Sequence, residues 1–228
     1  MNTTNISHIL SEIEEVTTAC NRSAADVNLI AVSKTFSVED IKSAINAGLI
    51  SFGENKAQEL NIKAKELNDE KIEWHFIGHL QSNKVKYVVP VAEFIHSVDS
   101  LKIAIEIEKM AVKLGKRQKV LLEIKTAPEE SKYGLTDKNE IFGIIKYISN
   151  STSLDFQGLM TIAPFVNEEA EIRKSFITLR NLKEEVQKLG YFCKHLSMGM
   201  TSDFKIAIEE GATMVRIGSA IFGNRIYN

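Results

Sequence analysis

Three features of this 228-residue chain could do chemistry together. The run Val27-Asn28-Leu29-Ile30-Ala31-Val32-Ser33-Lys34 reads as a strand that ends in a lysine. Strand side chains alternate, so Lys34 shares a face with Asn28, Ile30 and Val32. An amine at the end of an apolar strand is desolvated, which lowers its pKa and makes it a nucleophile towards aldehydes. A surface lysine that snorkels fits the same position. The second feature is Arg216, which interrupts the apolar run Met214-Val215-Arg216-Ile217. A guanidinium keeps its proton and needs an acceptor; as an ordinary ion pair, that acceptor would be Glu54 or Glu123. The third is a pair of segments, Leu196-Ser197-Met198-Gly199-Met200-Thr201-Ser202-Asp203 and Arg216-Ile217-Gly218-Ser219-Ala220-Ile221-Phe222-Gly223, each leading into a helical pattern. Glycines and hydroxyls at helix starts offer N–H and O–H donors to an anion. Plain N-capping by Thr201, Ser202 and Ser219 is the simpler account of the hydroxyls. A lysine nucleophile, an arginine and an anion cradle describe a site for a phosphorylated aldehyde, either a cofactor or a sugar phosphate handled by a Schiff-base aldolase.

The elements that must position these groups follow one rhythm. Ile6, Ile9, Ile13, Val16 and Cys20 recur at helical spacing, with Cys20 expected as a small buried hydrophobe on that stripe. After the first strand, Ser37 and Asp40 form a capping-box pattern. Further strands are expected at Ser51 to Asn55, Trp74 to His79, Phe94 to Val98, Val120 to Thr126, Asp155 to Ile162, His195 to Gly199 and Thr213 to Gly218. Between them lie helical stripes: Leu60, Ala64 and Leu67; Val85 and Val88; Leu101, Ala104, Ile107, Ala111 and Leu114; Ile141, Ile144, Ile145 and Ile148; Ile172 to Leu189; and Phe204, Ala207 and Ile208, closed by Gly211. Eight strand–helix units in one chain predict an α/β fold of the (β/α)8 TIM-barrel type, with an open doubly wound sheet as the alternative. Three prolines and no Gly/Ser-rich linker leave no domain boundary, so residues 1–228 are expected to form a single domain. In a barrel, function sits at the C-terminal strand ends, and the loops after strands seven and eight are the usual phosphate site.

Composition narrows the function classes. With 28 basic and 30 acidic residues, the net charge of −2 gives no signal for nucleic acid or an anionic membrane. No apolar run reaches the roughly 20 residues of a membrane span, and the N-terminus lacks a secretory pattern. Two cysteines, Cys20 and Cys193, make neither a disulfide framework nor a zinc site. These points predict a cytoplasmic protein, expected as a monomer because no long exposed apolar stripe is evident. His75 and His79, read on one strand, stand about 13 Å apart and cannot share a metal. His75 is expected as a satisfied strand histidine and His79 as a group facing the site, with no metal bound.

Motifs along the whole chain resemble the pyridoxal phosphate homeostasis protein family, whose fold is similar to the N-terminal barrel of alanine racemase. They are Leu29-Ile30-Ala31-Val32-Ser33-Lys34-Thr35, Phe52-Gly53-Glu54-Asn55, Trp74-His75-Phe76-Ile77-Gly78-His79-Leu80-Gln81-Ser82-Asn83-Lys84, Ser131-Lys132-Tyr133-Gly134, Gly158-Leu159-Met160, Leu196-Ser197-Met198-Gly199-Met200 and Met214 through Gly223. The resemblance implies pyridoxal 5′-phosphate as cofactor, held covalently as a Schiff base on Lys34. It implies that Arg216 faces the pyridine nitrogen, that Ser197, Thr201, Gly218 and Ser219 bind the phosphate, and that Asn55 and Met160 lie near the ring. Thr201 and Ser219 differ from the common serine and threonine at their positions, but both keep the hydroxyl. Ile124-Lys125 replaces a more usual Val-Asn, which leaves the roles of Lys125 and of Tyr133 open.

Two function classes follow, a carrier that supplies cofactor inside the cell and an enzyme, either a racemase or a Schiff-base aldolase. Arginine cannot accept a proton, so it leaves the ring nitrogen unprotonated and the ring a poor electron sink. Alanine racemase resembles this barrel with an added β domain that brings a catalytic tyrosine, whereas this chain stops after strand eight. None of its five tyrosines, Tyr87, Tyr133, Tyr147, Tyr191 and Tyr227, ends an expected strand. A two-base proton transfer then lacks its second base, with Tyr133 the one exception to examine. The expectation is a carrier without conventional turnover, whose partners are the cofactor and PLP-dependent apoenzymes.

Overall fold

In the computed structural model, which describes residues 3–127 and 133–223, eight parallel strands close into a barrel in sequence order. The strands are β1 (Asn28–Val32), β2 (Ser51–Glu54), β3 (Glu73–Phe76), β4 (Phe94–Val98), β5 (Gln118–Glu123), β6 (Leu154–Met160), β7 (His195–Ser197) and β8 (Met214–Ile217). The helices are α1 (Thr3–Ala19), α2 (Val38–Asn46), α3 (Ala57–Glu66), α4 (Val85–Val88), α5 (Leu101–Leu114), α6 (Lys138–Ser149), α7 (Glu169–Lys188), α8 (Phe204–Glu209) and α9 (Ser219–Phe222). The closed order β1-β2-β3-β4-β5-β6-β7-β8 decides between the two sheet architectures in favour of the TIM barrel.

Register sorts the strand residues into an inner and an outer set, because partners in neighbouring strands share a face. The pairs Ile30↔Arg216, Val32↔Gly53, Gly53↔His75 and His75↔Phe94 define part of the inner set. Glu123↔Met160 and Met160↔Ser197 continue it. Ile30, Phe94, Leu121, Met160 and Met214 pack together as an apolar plug inside the barrel. The larger core lies outside, where helix stripes such as Ile141, Ile144, Ile145 and Ile148 cover the outer strand faces.

Several boundaries differ from the sequence reading. The first strand stops at Val32 because Lys34 and Thr35 enter a turn, with Thr35 at φ +71° and Phe36 N–H donating to Ser33 O at 3.0 Å. Strand three ends at Phe76, so His79 lies in the following loop rather than on the strand. Cys20 sits in the turn after α1 and is half-buried, while Cys193 is the buried cysteine. Leu101, Leu114 and Leu189 fall at helix ends and are exposed; α5 is held by Ile103, Ala104, Ile107 and Ala111. The capping box of Ser37 and Asp40 and the positive φ of Gly211 are as the sequence predicts.

Candidate functional site

Lys34 is half-buried just beyond β1. Ser33 before it still belongs to the sheet through its N–H to Gly53 O at 3.1 Å. The Ser33 hydroxyl points to the outer side of the barrel, donating to Glu54 Oε1 at 2.6 Å. Glu54 is fully buried there beside Lys63, whose ammonium is 2.8 Å from the same oxygen. Burial pushes the Glu54 carboxyl up and the Lys63 charge opposes that shift. Glu54 is thus occupied on the outer side of β2, away from Arg216.

Arg216 is held from within. Its Nη1 donates to Ser197 Oγ at 2.6 Å and its Nη2 to Thr161 O at 2.9 Å. Ser197 Oγ lies 2.9 Å from His96 Nδ1, and His96 Nε2 lies 2.9 Å from His75 Nδ1. His75 Nε2 faces Glu73 Oε2 at 3.9 Å. Burial pushes the His75 pKa down and the His96 pKa well below its usual value, so both rings are neutral. One direction of donation satisfies the chain as far as His75 Nδ1, while His75 Nε2 is buried and makes no hydrogen bond. Arg216 can only donate, so Ser197 accepts from it and passes its own proton towards His96 Nδ1. His96 then donates from Nε2, and His75 keeps its remaining N–H on the side of the Glu73 carboxylate. The reverse order would set a histidine lone pair against that carboxylate. Arg216 is itself pushed down to about 10 by burial, opposed by Asp203 and Glu123, and it remains charged at neutral pH.

The loops after β7 and β8 meet. Ser219 Oγ donates to Thr201 Oγ1 at 3.3 Å. The simple capping account of these hydroxyls does not hold: the N-caps of α8 and α9 are Asp203 and Gly218, and neither makes a side-chain cap bond. Gly218 passes close to β1, where a Cβ would lie 3.2 Å from Val32 O. Gly199, at φ +93°, packs against α8, where a Cβ would meet Ala207 Cβ at 2.6 Å. Thr201, Gly218 and Ser219 are therefore brought together. Ser197 is fully buried, with its hydroxyl engaged by Arg216 and His96.

The remaining expected residues lie around the mouth. Asn55 follows β2, and a Cβ on Gly78 would overlap its carbonyl, so the loop after β3 is built against it. Met160 belongs to the apolar plug. His79 sits 3.2 Å from Asp99 Oδ2 and stacks on Tyr133 with ring centroids 3.7 Å apart. Lys125 donates its N–H to Leu135 O at 3.0 Å. Ser131, Lys132 and Tyr227 lie outside the described residues. Tyr87 is on α4, Tyr147 bonds Glu108, and Tyr191 follows α7. Among the described residues no group of acidic, histidine or cysteine side chains could hold a metal.

Sequence reasoning underrated Glu123, considered only as a partner for Arg216. It points inward at the end of β5, and its carboxyl is pushed up to about 7 by burial and by Asp99. The inward parity with Leu121 was its signal. His96 had one too, in its alternation with Phe94.

The chain matches the alanine racemase N-terminal domain family over residues 5–225. It is 42% identical over 219 residues to a pyridoxal phosphate homeostasis protein of Aquifex aeolicus, covering 94% of this chain and 96% of that one. A homologue of the same name from Vibrio alginolyticus is 40% identical over 228 residues, covering 98% and 97%. The chain belongs to the pyridoxal phosphate homeostasis protein family. Among solved structures, PipY of Synechococcus elongatus with PLP bound superposes with a TM-score of 0.82 at 35% identity, covering 92% of this chain and 100% of PipY. An alanine racemase of Clostridium difficile is 15% identical, with a TM-score of 0.79, and shares the barrel fold over 58% of its own chain.

Proposed function

We propose that this protein holds pyridoxal 5′-phosphate covalently, as a Schiff base on Lys34, and acts in the supply of that cofactor rather than in conventional turnover. One observation carries the reading. The β1–β8 pairing, with Ile30 beside Arg216 and Gly218 close to Val32, sets the ends of these strands side by side, which supports a shared site for Lys34, Arg216 and Gly218. Each group suits one part of the cofactor. The Lys34 amine would hold the aldehyde carbon, with C=N replacing C=O and the oxygen leaving as water. Arg216 meets the pyridine nitrogen. Ser197, Thr201, Gly218 and Ser219 would take the phosphate. The Ser197 hydroxyl also ties this set to Arg216 and His96. Asn55 and Met160 border the ring.

Bound, the cofactor supplies an aldehyde and a conjugated ring that can accept electrons. Arg216 opposes that second capacity, because a fixed guanidinium disfavours protonation of the ring nitrogen. Tyr133, the one tyrosine expected near the mouth, is 57% exposed and stacked on His79. The proposed protein is a single barrel that works as a monomer in the cytoplasm and passes cofactor to PLP-dependent apoenzymes. Among the described residues no helix is long and apolar enough to cross a membrane.

Borohydride reduction of the loaded protein and peptide mapping should place the adduct on Lys34; an adduct elsewhere with Lys34 unmodified overturns the attachment. Incubation with L- and D-alanine in heavy water should leave the α-hydrogens essentially unexchanged by NMR. Rapid exchange would restore the enzyme reading.

A further inference from the structure

The residues on the outer side of β1 do more than fill space. Lys63, on α3, is 5% exposed and carries three hydrogen bonds: to Ser33 O at 2.7 Å, to Glu54 Oε1 at 2.8 Å and to Glu59 Oε1 at 2.6 Å. An ammonium has three protons, so its capacity is spent. Glu59 Oε1 also accepts the Thr35 N–H at 2.6 Å. The Ser33 carbonyl and the Thr35 N–H belong to the two peptide groups that flank Lys34. Both are fastened to the same Lys63–Glu59 pair, so the backbone on either side of Lys34 is fixed from behind.

A strained backbone lies at the same place. Thr35 is β-branched, yet it holds φ +71°, a region that such residues rarely occupy. Asn21 is the other described non-glycine residue with positive φ, and asparagine tolerates that region. Strain of this kind costs on the order of 1–3 kcal/mol and persists only where surrounding contacts enforce it. The Glu59 bond to the Thr35 N–H is such a contact.

We propose that Lys63 and Glu59, steadied by Glu54, are positioning residues that hold the backbone around Lys34 so that its amine meets the cofactor's aldehyde. This rests on Lys34 being the attachment point. It gives the buried ion cluster a geometric role, since a paired buried charge by itself stabilises little beyond an apolar replacement. A misplacement of about 1 Å at a reacting group can cost on the order of a hundredfold in rate.

The test compares two probes that differ at the reacting carbon. Pyridoxal 5′-phosphate carries the aldehyde. Pyridoxine 5′-phosphate carries an alcohol there and cannot form the imine, but keeps the ring and phosphate. Wild-type protein should hold the aldehyde far more tightly, as seen by equilibrium dialysis and by visible absorbance. Lys63→Met should lose about tenfold or more in aldehyde retention while binding the alcohol within about twofold of wild type. Lys63 is buried and its loss could unfold the barrel, so Glu59→Ala is the second variant; its carboxylate is partly exposed and Lys63 keeps two acceptors without it. Glu59→Ala should show the same selective loss, and Glu59→Gln, which keeps the oxygen for Thr35, should restore most of it. A merely structural role would weaken both probes together, and that outcome in folded Glu59→Ala overturns the proposal. So does unchanged aldehyde retention in that variant. If wild type does not distinguish the probes, the Lys34 attachment itself fails, and the positioning role falls with it.

Discussion

The segments at the ends of β1 and β8 carry Lys34 and Arg216, and the fold secures the two by different means. Lys34 is fixed through its backbone, by an ionic cluster of Lys63, Glu54 and Glu59 on the outer side of the sheet. Arg216 is fixed through its side chain, by a neutral hydrogen-bonded chain of Ser197, His96 and His75 inside the barrel. The difference follows from what each group must do. On the proposed attachment, a main-chain anchor sets the position of the Lys34 amine without drawing on the amine itself. An arginine that stays charged and unreactive can be gripped by its donors. Charges also suit the rim, where Glu59 is partly solvated, whereas the dry interior favours neutral partners.

Breaking the interior chain should have the largest effect. His96→Leu leaves the Ser197 hydroxyl proton and His75 Nδ1 each without a partner in a dry interior, and should lower unfolding free energy by about 3 kcal/mol in urea titration. It should also flatten the acid side of the stability profile. A histidine with a lowered folded pKa destabilises as pH falls below about 6.5, where the unfolded chain takes up the proton first. An unaltered stability and profile would show that the chain holds nothing.

Glu123 sharpens the contrast between dry interior and wet rim. Its carboxyl is raised from 4.5 to about 7, so the folded cofactor-free protein binds more protons than the unfolded chain across that window. Stability should therefore fall as pH rises from about 4.5 to 7, by on the order of 2 kcal/mol, and Glu123→Gln should remove that component. Superimposable melting profiles of the two proteins between pH 5 and about 8 would contradict the assignment.

Gly218 is where the two strand ends touch. Gly218→Val places a side chain against Val32 O, and should weaken pyridoxal phosphate by about tenfold, 1.4 kcal/mol, with a smaller effect on pyridoxal. Equal losses for the two ligands, measured by dialysis, would remove the phosphate from this loop. The smallest effect belongs to Thr35→Gly, which relieves the positive φ but frees the unfolded chain. Thermal unfolding should place it within about 1 kcal/mol of wild type. A loss well beyond that would mean the threonine side chain, rather than its N–H, is what the turn needs.

Much of this was legible in the residues. Period-two and helical spacing named the strands and helices in order, because burial on both faces of each strand leaves strong apolar runs. Lys34, Arg216 and the paired glycine loops stood out because a charge or a glycine interrupts those runs. What escaped depends on contacts between distant residues. Nothing near Lys63 in sequence shows that its ammonium reaches the carbonyl of Ser33, 30 positions away. The contact of Ser197 with His96 spans 101 positions and follows from barrel closure. The strand ends were read too long for a local reason: the turn at Thr35 uses a backbone conformation that threonine does not advertise.

The interior chain bears on how the barrel assembles. Its members come from β3, β4, β7 and β8, so no contiguous half of the chain can complete it. A partial barrel that collapsed around β1 to β4 would enclose His75 and His96 without Ser197, leaving a buried imidazole nitrogen unanswered. The same residues that hold Arg216 thus penalise premature closure and make the last two strands obligatory. A polar seam of this kind narrows the set of compact states open to the sequence, and it does so at the step where parallel barrels, with their distant strand pairings, are slowest to form.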